Sequence, residues 1–353
     1  MERFCVGLDV SAKTLDVAYR DRKRGTVKKI VSNDASGHRE LVQLLKRVAS
    51  GRVVRVVLES TGIYGFDVAL ALNAAGFEVM VANPRASSNF AKASMQRSKT
   101  DALDAVMLLQ FAETMAFRWW HAPSTAQIEV RTIARRVHAL MGMIREEKNR
   151  MHAASQMEGT EAIKKSIQST LKAIQKEVAK LRTLALELIE ADPHMAGRYE
   201  LLLTAKGIGQ ISAIAILAEL SVLPPDMTDR QWVAHAGLDP REFESGTSVH
   251  TVSRISKRGN KYLRSALYIP ARVASRFDPG VASYAGRLRE RGKRPLQIHV
   301  AVMRKLLHSI HAMFSSGEAF DSRRYYLATA AGAEGTSGIA SLAISEVSSA
   351  QPS

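Results

Sequence analysis

Phe4-Cys5-Val6-Gly7-Leu8-Asp9-Val10-Ser11 carries a short strand-like run straight into an acid. Such a run, rich in β-formers and bounded by a polar turn, predicts a strand over Phe4 to Leu8 with the Asp9 carboxylate at its carboxyl end. Val53 to Leu58 repeats the pattern and closes on Glu59, within Leu58-Glu59-Ser60-Thr61-Gly62. Glu78 to Ala82 is a third such run, ended by Asn83-Pro84. Between the last two, Gly65 to Ala75 has the length and Ala/Leu content of a crossover helix, so parallel pairing in an α/β domain is expected. Val17 to Tyr19 and Val27 to Val31 are expected as further strands of an antiparallel meander. Open α/β sheets bind ligands at the carboxyl ends of their strands. Asp9 and Glu59 would share that edge if their strands are parallel neighbours.

Beyond His121-Ala122-Pro123 the texture changes to long helices. Val130, Ile133, Val137, Leu140 and Ile144 step by three and four, as do Ile167, Leu171, Ile174, Val178, Leu181, Ala185 and Leu188. That is a heptad seam. Met151 to Gly159 interrupts it, which leaves open a helical hairpin or one long rod, and a simple spacer or a dimerising coiled coil. From about Tyr199 a second compact, mainly helical region follows, with apolar helices over Leu201 to Leu220, Tyr262 to Ala274 and Leu296 to Phe314. The stretch from Ala328 is Ala/Gly/Ser-rich and is expected to be a disordered tail. The fold class is thus α/β plus α, in four parts: residues 1–120, a helical connector over 121–195, a helical domain over 196–327, and the tail over 328–353.

Composition narrows the partners. The 353 residues hold 50 Lys plus Arg against 34 Asp plus Glu, a net charge of +16, which favours polyanions. No run approaches the roughly 18 apolar residues of a membrane span, so an anionic membrane is disfavoured. The N-terminus has no secretory signal pattern. Cys5, the single cysteine, can form no intrachain disulfide, and a cytoplasmic location is expected.

Asp101 and Asp104, in Lys99-Thr100-Asp101-Ala102-Leu103-Asp104-Ala105, stand three apart at the start of an expected helix and share a face. With Asp9 and Glu59 they make four carboxylates that could converge. Gathered carboxylates repel, so divalent cations are the expected neutralisers. Two Mg²⁺ ions about 3.5 to 4 Å apart would suit phosphodiester chemistry. Each acid alone has a plainer reading: a strand end for Asp9, an ion pair with an arginine for Glu59, a helix cap for Asp101.

The surroundings Gly-Leu-Asp-Val-Ser, Glu-Ser-Thr-Gly, Ala-Asn-Pro-Arg and Lys-Thr-Asp-Ala-Leu-Asp-Ala resemble insertion-sequence transposases of the family numbered one hundred and ten, to which the Piv-type DNA invertases are related. The resemblance spans residues 4–315. It implies a RuvC-like, RNase H-fold domain at the N-terminus with Asp9, Glu59, Asp101 and Asp104 as Mg²⁺ ligands. It further implies a dimer or tetramer in which the carboxylates of one subunit complete the serine site of another, acting on DNA under the guidance of a structured bridge RNA.

The serine lies in the second half. Ala236-Gly237-Leu238-Asp239-Pro240 leads to Ser245-Gly246 in an expected polar loop, and Lys257-Arg258-Gly259-Asn260-Lys261-Tyr262-Leu263-Arg264 is expected to open a basic helix. A hydroxyl there could attack phosphorus and store the bond energy in a phosphoserine link. On residues alone Ser248, Ser253 and Ser256 compete, whereas the family pattern of Gly-Leu-x-Pro, Ser-Gly and Lys-x-Gly-Asn-x-x-Leu-Arg matches Ser245. The run Gly246-Thr247-Ser248-Val249-His250 departs from the more basic family pattern. Between His250 and Lys305 there are 14 Lys or Arg against Asp278 and Glu290, a local balance of +12. Phosphate-backbone binding is expected there, through Arg254, Lys257, Arg258, Lys261 and Arg264. Lys206-Gly207-Ile208-Gly209 reads equally as a phosphate-holding helix-hairpin-helix turn or an ordinary interhelix turn. His308 and His311 share a helix face without a third metal ligand.

The competing readings are a RuvC-like nuclease or junction resolvase using the carboxylates alone, an actin-like sugar kinase, and a non-catalytic nucleic-acid-binding protein.

Overall fold

A computed structural model describes residues 2–59, 64–94, 101–241, 244–245, 249–250 and 254–327, with the backbone alone described at 101–103, 241, 244–245, 249–250, 254, 325 and 327. The expected tail over 328–353 lies outside the described residues. Two compact units divide at Ala122/Pro123.

The first unit runs β1 (Arg3–Val10), β2 (Thr14–Asp21), β3 (Gly25–Ser32), α1 (Ala35–Ala49), β4 (Val53–Glu59), α2 (Phe66–Ala74), β5 (Glu78–Ala82), α3 (Pro84–Ala93) and α4 (Asp101–Thr114). Its five-stranded sheet has the order β3-β2-β1-β4-β5. The first three strands pair antiparallel, whereas β1 with β4 and β4 with β5 are parallel, joined by the helical crossovers that parallel pairing requires. The meander and the parallel pair expected from sequence are both present.

Alternation assigns the two faces. Val6, Leu8 and Val10 join Val54, Val56 and Leu58 in a core with Leu41, Leu45, Val68 and Leu72 of α1 and α2. On the opposite face Val57 packs with Met107, Leu108 and Phe111 of α4, and Ala18 with Ala105 and Leu109. Gly7 faces the same way, so near to α4 that a Cβ there would meet the Ala105 carbonyl oxygen.

The second unit is mostly helical. It comprises α5 (Thr125–Ser155), α6 (Glu161–Glu190), α7 (Pro193–Thr204), α8 (Gln210–Leu220), α9 (Asp229–His235), the two-residue strands β6 (Pro240–Arg241), β7 (Glu244–Ser245), β8 (Val249–His250) and β9 (Arg254–Ile255), then α10 (Lys261–Phe277), α11 (Pro279–Glu290), α12 (Pro295–Ser316) and a π-helical turn (Arg323–Leu327). The heptad seam resolves as an intrachain hairpin: Val130, Ile133, Val137, Leu140 and Ile144 of α5 and Ile174, Val178 and Ala185 of α6 are buried in one core. A capping box fixes the start of α5, where Ser124 Oγ accepts from Gln127 N and Gln127 Oε1 accepts from Ser124 N. Ile208 is buried and its N–H donates to Ala205 O, so Gly207-Ile208-Gly209 closes as an interhelix turn. Among the described residues no helix is long and apolar enough to cross a membrane.

Candidate active-site carboxylates and the serine-bearing hairpin

The parallel register of β1 and β4 ends at Leu8 opposite Leu58, so the next residues, Asp9 and Glu59, stand at one carboxyl edge. Both also share a face. Cys5 Sγ lies 3.7 Å from Ala112 O and Gly7 abuts Ala105 and Leu109, so β1 runs from the C-terminal end of α4 toward its N-terminal end. Asp9, two residues past Gly7, continues this line toward the turn that carries Asp104. The backbone of Asp101 begins that turn; its side chain is outside the described residues. Burial raises the Cys5 thiol above its ordinary pKa, as expected of a thiol wedged between strand and helix.

Two residues not anticipated from sequence support this edge. Ser87 of α3, fully buried, donates from Oγ to Glu59 Oε2 at 2.7 Å and orients that carboxylate. Asp16 of β2 pairs directly with Asp9 across the antiparallel ladder and is buried on the same face. The signal for Asp16 was the alternation along Thr14 to Asp21; Ser87 carried none, because its role depends on where α3 docks. Loops around the edge are tied by Asn33, whose amide donates to Ser11 O at 2.8 Å and Tyr64 O at 3.1 Å while its oxygen meets His38 Nε2 at 2.8 Å. Burial holds His38 below its ordinary pKa, despite Asp67 and Asp34.

Among the described residues no three His, Cys, Asp or Glu side chains form a ready metal cage. The donors at the edge are nonetheless all carboxylate oxygens, the hard ligands that Mg²⁺ prefers. In kind and in placement at one sheet edge they fit such an ion.

In the second unit the expected polar loop is a hairpin instead. Its stem pairs Pro240 with Ile255 and Arg241 with Arg254; further out, Glu244 pairs with His250 and Ser245 with Val249. Ser245 therefore sits on a strand of an arm. Of the competing serines, Ser256 is committed to the base of that arm, its hydroxyl 2.5 Å from Asp239 Oδ1; Ser248 and Ser253 lie outside the described residues.

The basic segment also differs from expectation. Lys257 to Asn260 precede α10, whose N-cap is Asn260, accepting from Tyr262 N and Leu263 N. Lys257 takes a left-handed φ of 51°. Gly259, at φ 137°, passes so close to His235 O that a Cβ would come within 2.3 Å of it, so no other residue fits this turn. Arg264 Nη1 donates to Ala236 O at 2.7 Å, which makes it a brace between α10 and the Gly237 loop. Lys257, Arg258 and Lys261 are exposed, and the side chain of Arg254 lies outside the described residues. His308 Nδ1 meets Asp229 Oδ2 at 2.6 Å and His311 Nε2 meets Met227 O at 2.9 Å, so both histidines join α12 to the start of α9 and the turn before it.

Under α10 lies a buried hub. Glu219 of α8, with 2% of its side chain exposed, accepts from Arg131 Nε at 3.1 Å, Arg135 Nε at 2.7 Å and Asn260 Nδ2 at 2.6 Å. Burial alone would raise its carboxyl; the Arg135 and Arg131 guanidiniums and the Asn260 amide outweigh it and leave the pKa below the ordinary value. Burial, reinforced by Arg131, lowers the pKa of neighbouring His235.

Comparison with known proteins places the chain among transposases. A model of the DEDD-type IS110 family, described as transposase, matches residues 6–160, the span that holds Asp9, Glu59, Asp101 and Asp104. A second, described as the transposase IS116/IS110/IS902 family, matches residues 199–286, which hold Ser245 and the Lys257–Arg264 element. The chain is 26% identical to a pilin gene-inverting protein of Moraxella bovis over 92% of its own length and 99% of that protein. It is 28% identical to an insertion element IS110 protein of Streptomyces coelicolor over 45% of its length and 38% of that protein. A probable family 20 transposase of Pseudomonas aeruginosa is likewise 28% identical, over 53% of this chain and 62% of that protein. These family matches and relatives make the chain an enzyme of DNA transposition and recombination. The chain belongs to the IS110 family of transposases.

Proposed function

We propose that this transposase cuts and rejoins DNA with a two-part site: Asp9, Glu59, Asp101 and Asp104 as Mg²⁺ ligands, and Ser245 as nucleophile. The sheet order, antiparallel on one side of β1 and parallel on the other, supports an RNase H-like, RuvC-like reading of the first unit. The observation that carries the site is the parallel register that sets Asp9 and Glu59 at one edge, on the face α4 covers. When bound, Mg²⁺ supplies positive charge for a phosphodiester transition state.

The chain's own groups do the rest. Ser87 orients the Glu59 carboxylate, and the short strand β7 carries Ser245. Attack forms an Oγ–P bond as the bridging P–O bond breaks; the serine proton passes to solvent and the departing sugar oxygen gains one. Reversal by another strand's hydroxyl rejoins the DNA and frees the serine. Lys257, Arg258 and Lys261 hold phosphates. In this reading a homodimer or homotetramer brings the carboxylates and serine of different copies to one bond, and a structured RNA chooses the sequence; the +16 charge suits such a polyanionic partner.

The test is a denaturing gel of labelled substrate. Ser245→Ala should bind nucleic acid like the parent yet yield no covalent protein-DNA species, while Ser256→Ala still yields one. An adduct that persists in Ser245→Ala moves the nucleophile elsewhere. Cleavage without any adduct in the parent makes the chain a nuclease that uses its carboxylates alone.

A further inference from the structure

Between α5, α6, α8 and α10 the helical unit holds a cavity of about 240 Å³ that the cleavage chemistry does not use. Its wall is apolar, formed by Ile133, Val137 and Ile214 among others. Met141, Ile211 and Ile269 also line it while remaining 39%, 42% and 54% exposed, so the apolar lining continues to an open mouth.

Its charged lining is mostly basic. Arg135, Arg145, Arg182 and His138 contribute to the lining, and Glu219 is the one carboxylate among the described lining residues. That carboxylate already binds Arg131, Arg135 and Asn260. Arg145 and Arg182 therefore leave the cavity cationic. Arg182 gives Nη2 to Gln210 Oε1 at 3.2 Å, but its Nε is buried without a hydrogen-bond partner. A buried donor left unsatisfied is costly, so an acceptor that entered would recover that penalty.

The volume falls below the roughly 300 to 1,000 Å³ of pockets for drug-sized ligands and suits one planar ring system. An apolar slot, a buried donor and a cationic mouth are together the complement of a nucleobase with its phosphate. We propose that this cavity receives an unpaired base of a bound nucleic-acid strand, its faces against Ile133, Val137 and Ile214, an edge acceptor on Arg182 Nε, and the adjoining phosphate at exposed Arg145. A paired base cannot enter without leaving its stack; the site thereby selects bulges, loops and single strands, in DNA or RNA.

The inference rests on the chain acting on nucleic acid, but on neither its metal nor its serine. It is tested without divalent cation, on the full chain, with a duplex that carries one 5-iodouracil either paired or bulged. Photo-crosslinking should place the bulged base on a peptide that lines the cavity, such as the one bearing Tyr262, with about tenfold less adduct from the paired base. Ala266→Leu fills the cavity and Arg182→Gln removes the donor; each should abolish that adduct while duplex binding by anisotropy stays within about twofold. The second variant serves if the first does not fold. Equal crosslinking of paired and bulged bases, or adducts that survive both variants, overturns the proposal. So does labelling by free iodo-dUMP alone, which assigns the cavity to a mononucleotide. Normal anisotropy without a cavity adduct refutes the pocket alone; absent binding refutes the nucleic-acid reading as well.

Discussion

Gly7 lies against Ala105 so closely that a Cβ on it would sit 2.1 Å from the Ala105 carbonyl oxygen. Contact of this kind sets the distance between α4 and β1, and with it the distance between the turn carrying Asp104 and the strand carrying Asp9. Gly7→Ala should therefore push helix and strand apart, costing about 1 to 3 kcal/mol of stability and most strand cleavage. Gly142 of α5, where a Cβ meets nothing, is the control: Gly142→Ala should stabilise by up to about 1 kcal/mol. Thermal melts of the two variants decide the matter, and equal melting points would mean that α4 yields.

Removing a carboxylate should separate chemistry from binding. Asp9→Asn or Asp104→Asn is expected to abolish Mg²⁺-dependent cleavage and leave nucleic-acid affinity nearly unchanged. Ser87→Ala, which removes one hydrogen bond from Glu59, should weaken the Mg²⁺ dependence of cleavage about ten- to a hundredfold, with partial recovery in Ser87→Thr. A Mg²⁺ titration that does not shift would leave Ser87 with a packing role only.

The cations around α10 should divide into two classes. Alanine at exposed Lys257, Arg258 and Lys261 together should flatten the salt dependence of binding, by roughly 0.7 to 0.9 in slope for each phosphate no longer neutralised. Arg264→Ala should instead lower the melting temperature, because its guanidinium braces Ala236. Binding isotherms over a range of salt concentrations, beside melts, read both effects.

Glu219 is the point where the helical unit should be easiest to break. Glu219→Ala strands two guanidiniums and is expected to cost about 3 to 5 kcal/mol. Since its folded pKa is depressed, the stability it contributes is present above its unfolded pKa and is lost as pH falls through the lower folded value. Denaturant titrations down the acid range should show the parent losing stability there and Glu219→Gln losing less.

A second titration lies nearer neutrality. His235 has its folded pKa lowered by burial, so the unfolded chain takes up a proton first as pH drops below about 6.5. Stability is full above that value and declines below it, until the folded pKa is reached. His235→Gln should shrink this decline in melts of the helical unit; an unaltered profile would pass the effect to His299, which burial also lowers.

Legibility followed the range of the interaction. Strand positions, the crossover helix and the heptad seam were readable because burial imprints periods of two and three to four on the chain itself. Asp9 and Glu59 were legible as a pair for that reason. Ser87, Arg264 and Asn260 were not, because a hydrogen bond to Glu59, Ala236 or Glu219 depends on docking between elements far apart in sequence. The Ser245 segment has the pattern of a loop because its strands are only two residues long, too short to alternate visibly.

Three backbone hydrogen bonds, Ser256 N to Asp239 O, Lys257 N to Gly237 O and Asn260 N to His235 O, fasten the two feet of the Ser245 arm side by side. A segment whose ends are already held can lengthen cheaply, each doubling adding only about 0.6 kcal/mol of closure entropy. Insertions and deletions between Arg241 and Arg254 are therefore nearly invisible to folding, and descendants of such a gene can alter the reach of the arm without rebuilding the helices beneath it.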